Sequence, residues 1–159
     1  MSFQLAHPGD PAGGKGVPRT VQKPLAAAQA FLEGALLVAD ASDNWAECGA
    51  NPASIGGVAV SAAGTDTSGF NRFAKKEFPP GVMQAITVNG TVFTARYLGT
   101  LPAANGASYD VVRDSDLYWK VNFASQAAAR VKLLDRRTTS PENIPRVLVV
   151  VLAANVQIV

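Results

Sequence analysis

The sequence predicts an all-β domain, a single small barrel or sandwich of β-tulip or jelly-roll-like form, preceded by an extended N-terminal arm. Three observations lead there. Short runs of Val, Ile, Leu, Thr and aromatic residues recur, each closed by Gly, Pro, Asn or Asp, as strands joined by turns require. Asn89-Gly90 stands between two such runs, and Asn-Gly supplies both positive-φ positions of a type I′ hairpin turn. The run Val147-Leu148-Val149-Val150-Val151-Leu152 is apolar at every position, so its strand should be central or covered on both faces.

Taken in order, residues 1–24 hold eight Gly and Pro and no apolar period, which predicts a flexible or extended arm. Residues 25–159 then form the β-rich domain. Residues 25–32 (LAAAQAFL) either begin a short helix that Gly34 would end or lead directly into the first strand. Strands are expected at 36–40, 45–48 and 55–60, with glycines where backbone approaches backbone. Residues 61–70 read as a polar loop. The stretch after it interleaves Phe70, Phe73 and Phe78 with Arg72, Lys75 and Lys76. Its aromatics either plug one end of the fold or serve as interface anchors. Residues 82–97 form the expected hairpin about Asn89-Gly90. Further strands are expected at 108–112, 117–123, 130–134 and 146–159, with one helical turn allowed at 125–129. Arg136 and Arg137 open a long polar loop containing Pro141 and Pro145.

Composition narrows the function. With 159 residues the chain suits one domain with a sizeable core. Charged residues are only 16%, which leaves a surface of Ala, Gly, Ser, Thr and Asn suited to burial against partners. Lys15, Arg19 and Lys23 make the arm basic, and the remainder is neutral, so nucleic-acid binding is not expected. No apolar run approaches the ~20 residues of a membrane helix, and no signal peptide is seen, so no membrane contact is expected. Cys48 is the single cysteine and His7 the single histidine, which rules out an intrachain disulfide and a Cys–His zinc site. His7 lies in the arm, away from anything that could orient it, so a Ser–His–Asp or Cys–His site is not expected. Gly13-Gly14-Lys15-Gly16 lacks the strand before it and the helix after it that a phosphate loop needs. Asp40 with Asp43, or Asp110 with Asp114 and Asp116, could hold calcium only loosely, and solvated turn carboxylates are the simpler reading. The expectation is no enzyme, no metal and no cofactor.

One stretch is more specific. Residues 31–60, FLEGALLVADASDNWAECGANPASIGGVAV, carry F-x-x-G-A-x-x-V, a small polar turn, an A-N-P-x-x-I break and then G-V-A. This resembles the opening of tailed-bacteriophage capsid decoration (cement) proteins, small β-rich modules that bind the outside of an assembled head. The resemblance implies a virion structural protein, made in the host bacterial cytoplasm and placed on the capsid outer surface. Its implied partners are the major capsid protein and neighbouring decoration subunits, and it implies a homotrimer at three-fold positions. Candidate interface residues are Lys15, Arg19, Lys23, Phe70, Arg72, Phe73, Arg136 and Arg137. The alternatives are another β-rich virion component, such as a head fibre base, tail or baseplate protein, or a small β-barrel ligand-binding module.

Overall fold

A computed structural model describes residues 3–5, 20–59, 62–63, 82–86, 92–136 and 145–157. Its strands are β1 (Phe3–Leu5), β2 (Thr20–Pro24), β3 (Leu36–Ala39), β4 (Trp45–Glu47), β5 (Gly57–Ala59) and β6 (Val82–Ile86), then β7 (Val92–Ala95), β8 (Tyr97–Leu98), β9 (Ser108–Arg113), β10 (Trp119–Asn122), β11 (Val131–Asp135) and β12 (Val147–Val151). They form two open sheets packed as a sandwich, and no closed barrel. The larger sheet runs β1-β7-β12-β11-β9-β10-β8, the smaller β2-β6-β5-β3-β4.

The apolar run near the end of the chain explains the larger sheet. A strand with no polar face is unstable at an edge, where one side of its backbone and often one face meet water. β12 accordingly lies between β7 and β11, with Val147↔Ala95 and Val149↔Phe93 on one flank and Val131↔Val151 on the other. The strand ends at Val151, short of the expected 159, and a single 3-10 turn follows at Ala153–Asn155.

The expected hairpin at Asn89-Gly90 is not formed. β6 pairs with β2 and β5 in the smaller sheet, whereas β7 pairs with β1 and β12 in the larger one. The two strands therefore belong to different sheets, and Asn89 and Gly90 themselves lie outside the described residues. Both edges of β7 are taken, one by β12 and the other by β1, which leaves none for β6.

Of the two readings of residues 25–32, the lead-in holds and the helix does not. Leu25 makes a parallel bridge to Trp45, and Phe31 an antiparallel bridge to Ala63. The helical turn at 125–129 is likewise absent, replaced by turns pinned to Asp110. The arm enters the body twice, as β1 against β7 and as β2 against β6. Pro24 ends β2, where an edge strand tolerates a residue with no N–H to give.

One core lies between the sheets. Phe31, Leu37, Trp45, Ile55 and Val58 meet Phe93, Val111, Trp119, Val121, Leu133 and Val149 there, all buried. At one end Phe123 lies edge-on to Tyr109, ring centroids 4.8 Å apart, and tilts against Tyr97 at 5.1 Å. Such offset aromatic pairs add a little beyond the area they bury.

Candidate functional site

The segment carrying the A-N-P and G-V-A wording folds as one unit. β3 and β4 form a hairpin with Leu37↔Glu47 and Ala39↔Trp45, and β5 joins the other side of β3 through Leu36↔Val58. The turn between β3 and β4 is built by Asp40, whose Oδ1 accepts the N–H groups of Ser42 at 2.8 Å and Asn44 at 2.9 Å. Those bonds, the one from Asn44 foremost, hold its carboxyl below the ordinary aspartate range. Upstream, Gly34 at φ 86 gives its N–H to Ala59 O at 2.8 Å, so the F-x-x-G-A turn docks on β5.

The far end of the chain closes this unit. On its β5 side Ala39 has no strand partner, because β5 pairs only with Leu36 and Leu37, and the Gln157 side chain takes that place. Its Oε1 accepts from Ala39 N at 2.7 Å and its Nε2 donates to Ala39 O at 2.9 Å. Val156 bridges Ile55 in parallel, with Ile55 N donating to Asn155 O at 2.7 Å and Gln157 N to Ile55 O at 2.9 Å. Gly56 is required at this crossing. A Cβ there would lie 2.7 Å from Gln157 Oε1 and 2.9 Å from Trp45 Cζ3.

Glu47 ties the two sheets together. It stands on β4, and its Oε1 accepts from Trp119 Nε1 at 2.9 Å and pairs with Arg113 Nε at 3.0 Å, both from the larger sheet. Gln29 Oε1 accepts the Glu47 N–H at 2.7 Å, which covers that side of the edge strand. Burial pushes the Glu47 carboxyl above the ordinary range, against the opposing pull of Trp119 and Arg113. Next to it Cys48 is buried, and burial together with the Glu47 charge pushes its thiol up to about 12. A thiol so rarely ionised is a packing group and not a nucleophile.

The carboxylates considered for calcium are divided. Asp110 is buried and accepts from Ser125 Oγ and from the Ala128 N–H, fastening the loop after β10. Asp114 and Asp116 both meet Lys120 Nζ, each at 2.6 Å. The Lys120 bond, with the Ser115 N–H, lowers Asp114. Burial opposes the Lys120 charge, but the two carboxylates outweigh it and raise the amine. Among the described residues no group of three or more His, Cys, Asp or Glu could hold a metal.

Of the candidate interface residues, Lys23 and Arg136 are engaged within the fold. Lys23 Nζ donates to Asp43 Oδ1 at 2.5 Å and lies 5.9 Å from the centre of the Trp45 ring. Arg136 Nη1 donates to Pro102 O at 3.3 Å but stays exposed. Lys15, Arg19, Phe70, Arg72, Phe73 and Arg137 lie outside the described residues. The cation that sequence reading passed over is Arg96, which follows β7 and stacks on the Tyr118 ring with its Cζ 4.1 Å from the ring centre. Its signal was available in the alternation: Ala95 and Tyr97 turn inward, so Arg96 between them faces out.

The described ionisable groups therefore mostly bind other parts of the same chain. Comparison with protein-family models, with curated proteins and with solved structures finds no match for this chain.

Proposed function

We propose that this chain is a virion structural protein that binds the outer surface of an assembled tailed-phage capsid and stabilises it by bridging major capsid protein subunits. The observation that supports this best is the folding of residues 31–60. The residues that carry the resemblance to capsid decoration proteins lie in and around one three-stranded unit. Phe31 and Ala35 are buried, Gly34 takes positive φ, Asn51 takes φ 51 before the buried Pro52, Ile55 is buried, and Gly57-Val58-Ala59 is β5.

The mechanism is non-covalent. A low-charge sandwich adds free energy to a shell by burying its faces across seams between coat subunits, and area excluded from water counts at about 25 cal/mol per Å² before ordering costs. Repeated at symmetric sites, a modest gain per contact resists pressure from packaged genome. We place the chain there as a homotrimer touching neighbouring decoration subunits, without turnover or cofactor. Electron microscopy of virions with and without the protein tests the reading directly. Added density on the outer capsid surface is expected, and density inside the head or on the tail would overturn it.

A further inference from the structure

We propose that Arg96, stacked on Tyr118, is an anchor for a carboxylate side chain of a protein partner. The proposal names the docking point behind the capsid-binding reading and rests on that reading for the partner's identity, though not for its chemistry.

Arg96 differs from the other described cations. Lys23, Arg113 and Lys120 face carboxylates within the fold, Arg130 and Arg136 donate to backbone carbonyls, Lys132 stands in water, and Arg146 is buried and engaged within the chain. Arg96 is half-buried, its Nε is sealed from solvent with no acceptor, and its guanidinium makes no hydrogen bond or ion pair among the described residues. What positions it is a ring face. A guanidinium held over an aromatic ring keeps its edge open, and with Nε sealed the two Nη groups are the fork that can meet a carboxylate.

Both halves of the stack stand on fixed backbone. Arg96 O accepts the Val121 N–H at 2.9 Å, and Leu98 O accepts the Phe123 N–H at 3.0 Å. Tyr118 lies in the turn of the β9–β10 hairpin, where its N–H donates to Asp116 Oδ1 at 3.1 Å and its carbonyl accepts from Asp114 N at 2.9 Å. Lys120 clamps both aspartates, which keeps their carboxylates occupied close to the stack. Leu117, at φ 67, is a bulky residue in the left-handed region, and it leaves a half-buried apolar side chain beside Tyr118. β8 is the last strand of the larger sheet, so the stack stands next to an open edge. An arginine and a tyrosine, pre-ordered beside apolar side chains at a sheet margin, have the composition of an interaction hot spot. Charge complementarity selects an acidic residue as occupant, because the free donors all come from a cation.

The test uses the full ¹⁵N-labelled chain and follows the Nε–Hε resonance of Arg96, identified by its loss in Arg96→Lys. The probes are a blocked hexaglutamate peptide and, separately, inorganic phosphate. A saturable shift with the peptide is expected, with affinity falling about tenfold or more in Tyr118→Leu and holding in Tyr118→Phe. The phenylalanine variant keeps the ring and guards against a loss caused by misfolding. No shift with the peptide, or a shift with phosphate alone, overturns the proposal. Sedimentation with undecorated heads separates the two readings. A wild-type chain that ignores heads but binds the peptide sinks the capsid reading and spares the anchor. If Arg96→Lys is retained on heads as firmly as the wild type, the anchor is wrong and the capsid reading stands.

Discussion

Glu47 shows how one side chain links pH to stability. Its ionised form is costlier in the folded chain than in the unfolded one, because burial raises its carboxyl. Between the ordinary glutamate value of about 4.3 and the raised one, the folded state therefore binds more protons. Stability from this group is greatest in acid and declines as pH rises through that window. Glu47→Gln keeps an acceptor for Trp119 Nε1 and removes the titration. The difference in melting temperature, wild type minus variant, should fall as pH rises above the ordinary glutamate value of about 4.3, as differential scanning calorimetry would show. A difference flat in pH would mean that Arg113 cancels the burial. At the chain crossing, Gly56→Ala should cost about 1–3 kcal/mol in chemical denaturation, since the new methyl meets Trp45 and Gln157 at sub-contact distance. Gln157→Ala should cost about 1–3 kcal/mol by leaving both polar groups of Ala39 without partners. Neither effect was legible in the sequence, because a glutamine 118 positions from its partner has no local signature.

At the scale of elements the reading divides by how local the evidence was. β3, β4, β5, β9, β10 and β11 lie where the runs and turn residues put them, because period and punctuation act over a few neighbours. The burial of β12 was legible for the same reason, since an all-apolar strand has only one kind of place to go. Pairing was not legible. Asn89-Gly90 is a sound local hairpin signal, yet β6 and β7 part company because β1 and β12 hold both edges of β7. Pairing within the N-terminal arm was not legible for a related reason: its Gly and Pro obscure two three-to-five-residue extended stretches that pair with β7 and β6. Removing residues 1–24 should consequently lower the melting temperature by several degrees, through loss of an edge strand from each sheet, and not merely weaken a contact outside the body. An unchanged melting curve would show that neither strand contributes to the fold.

For the molecule as a whole, the fold class could be read from sequence, while the working surface could not. Sequence shows which residues carry charge but not which find a partner inside: Lys23 reaches Asp43 across 20 positions and leaves the candidate surface almost entirely. If the low-charge body works in an assembly, light scattering should report a trimer, and a monodisperse monomer would remove that part of the proposal. Chelation is expected to leave melting unchanged, because Lys120 already occupies the oxygens of Asp114 and Asp116 that a cation would need.

The two tryptophans, each fully buried and one in each sheet, give the sandwich a built-in optical readout. Trp119 donates its indole N–H to a carboxylate, whereas Trp45 donates at 3.3 Å to the Val21 carbonyl. Their emission should differ in colour and in response to acid. In a Trp45→Phe chain the remaining fluorescence reports the Glu47 contact between layers. In a Trp119→Phe chain it reports the β2 margin of the smaller sheet. Rapid-mixing unfolding of the two chains, followed by light alone, would reveal whether the layers separate before either sheet frays.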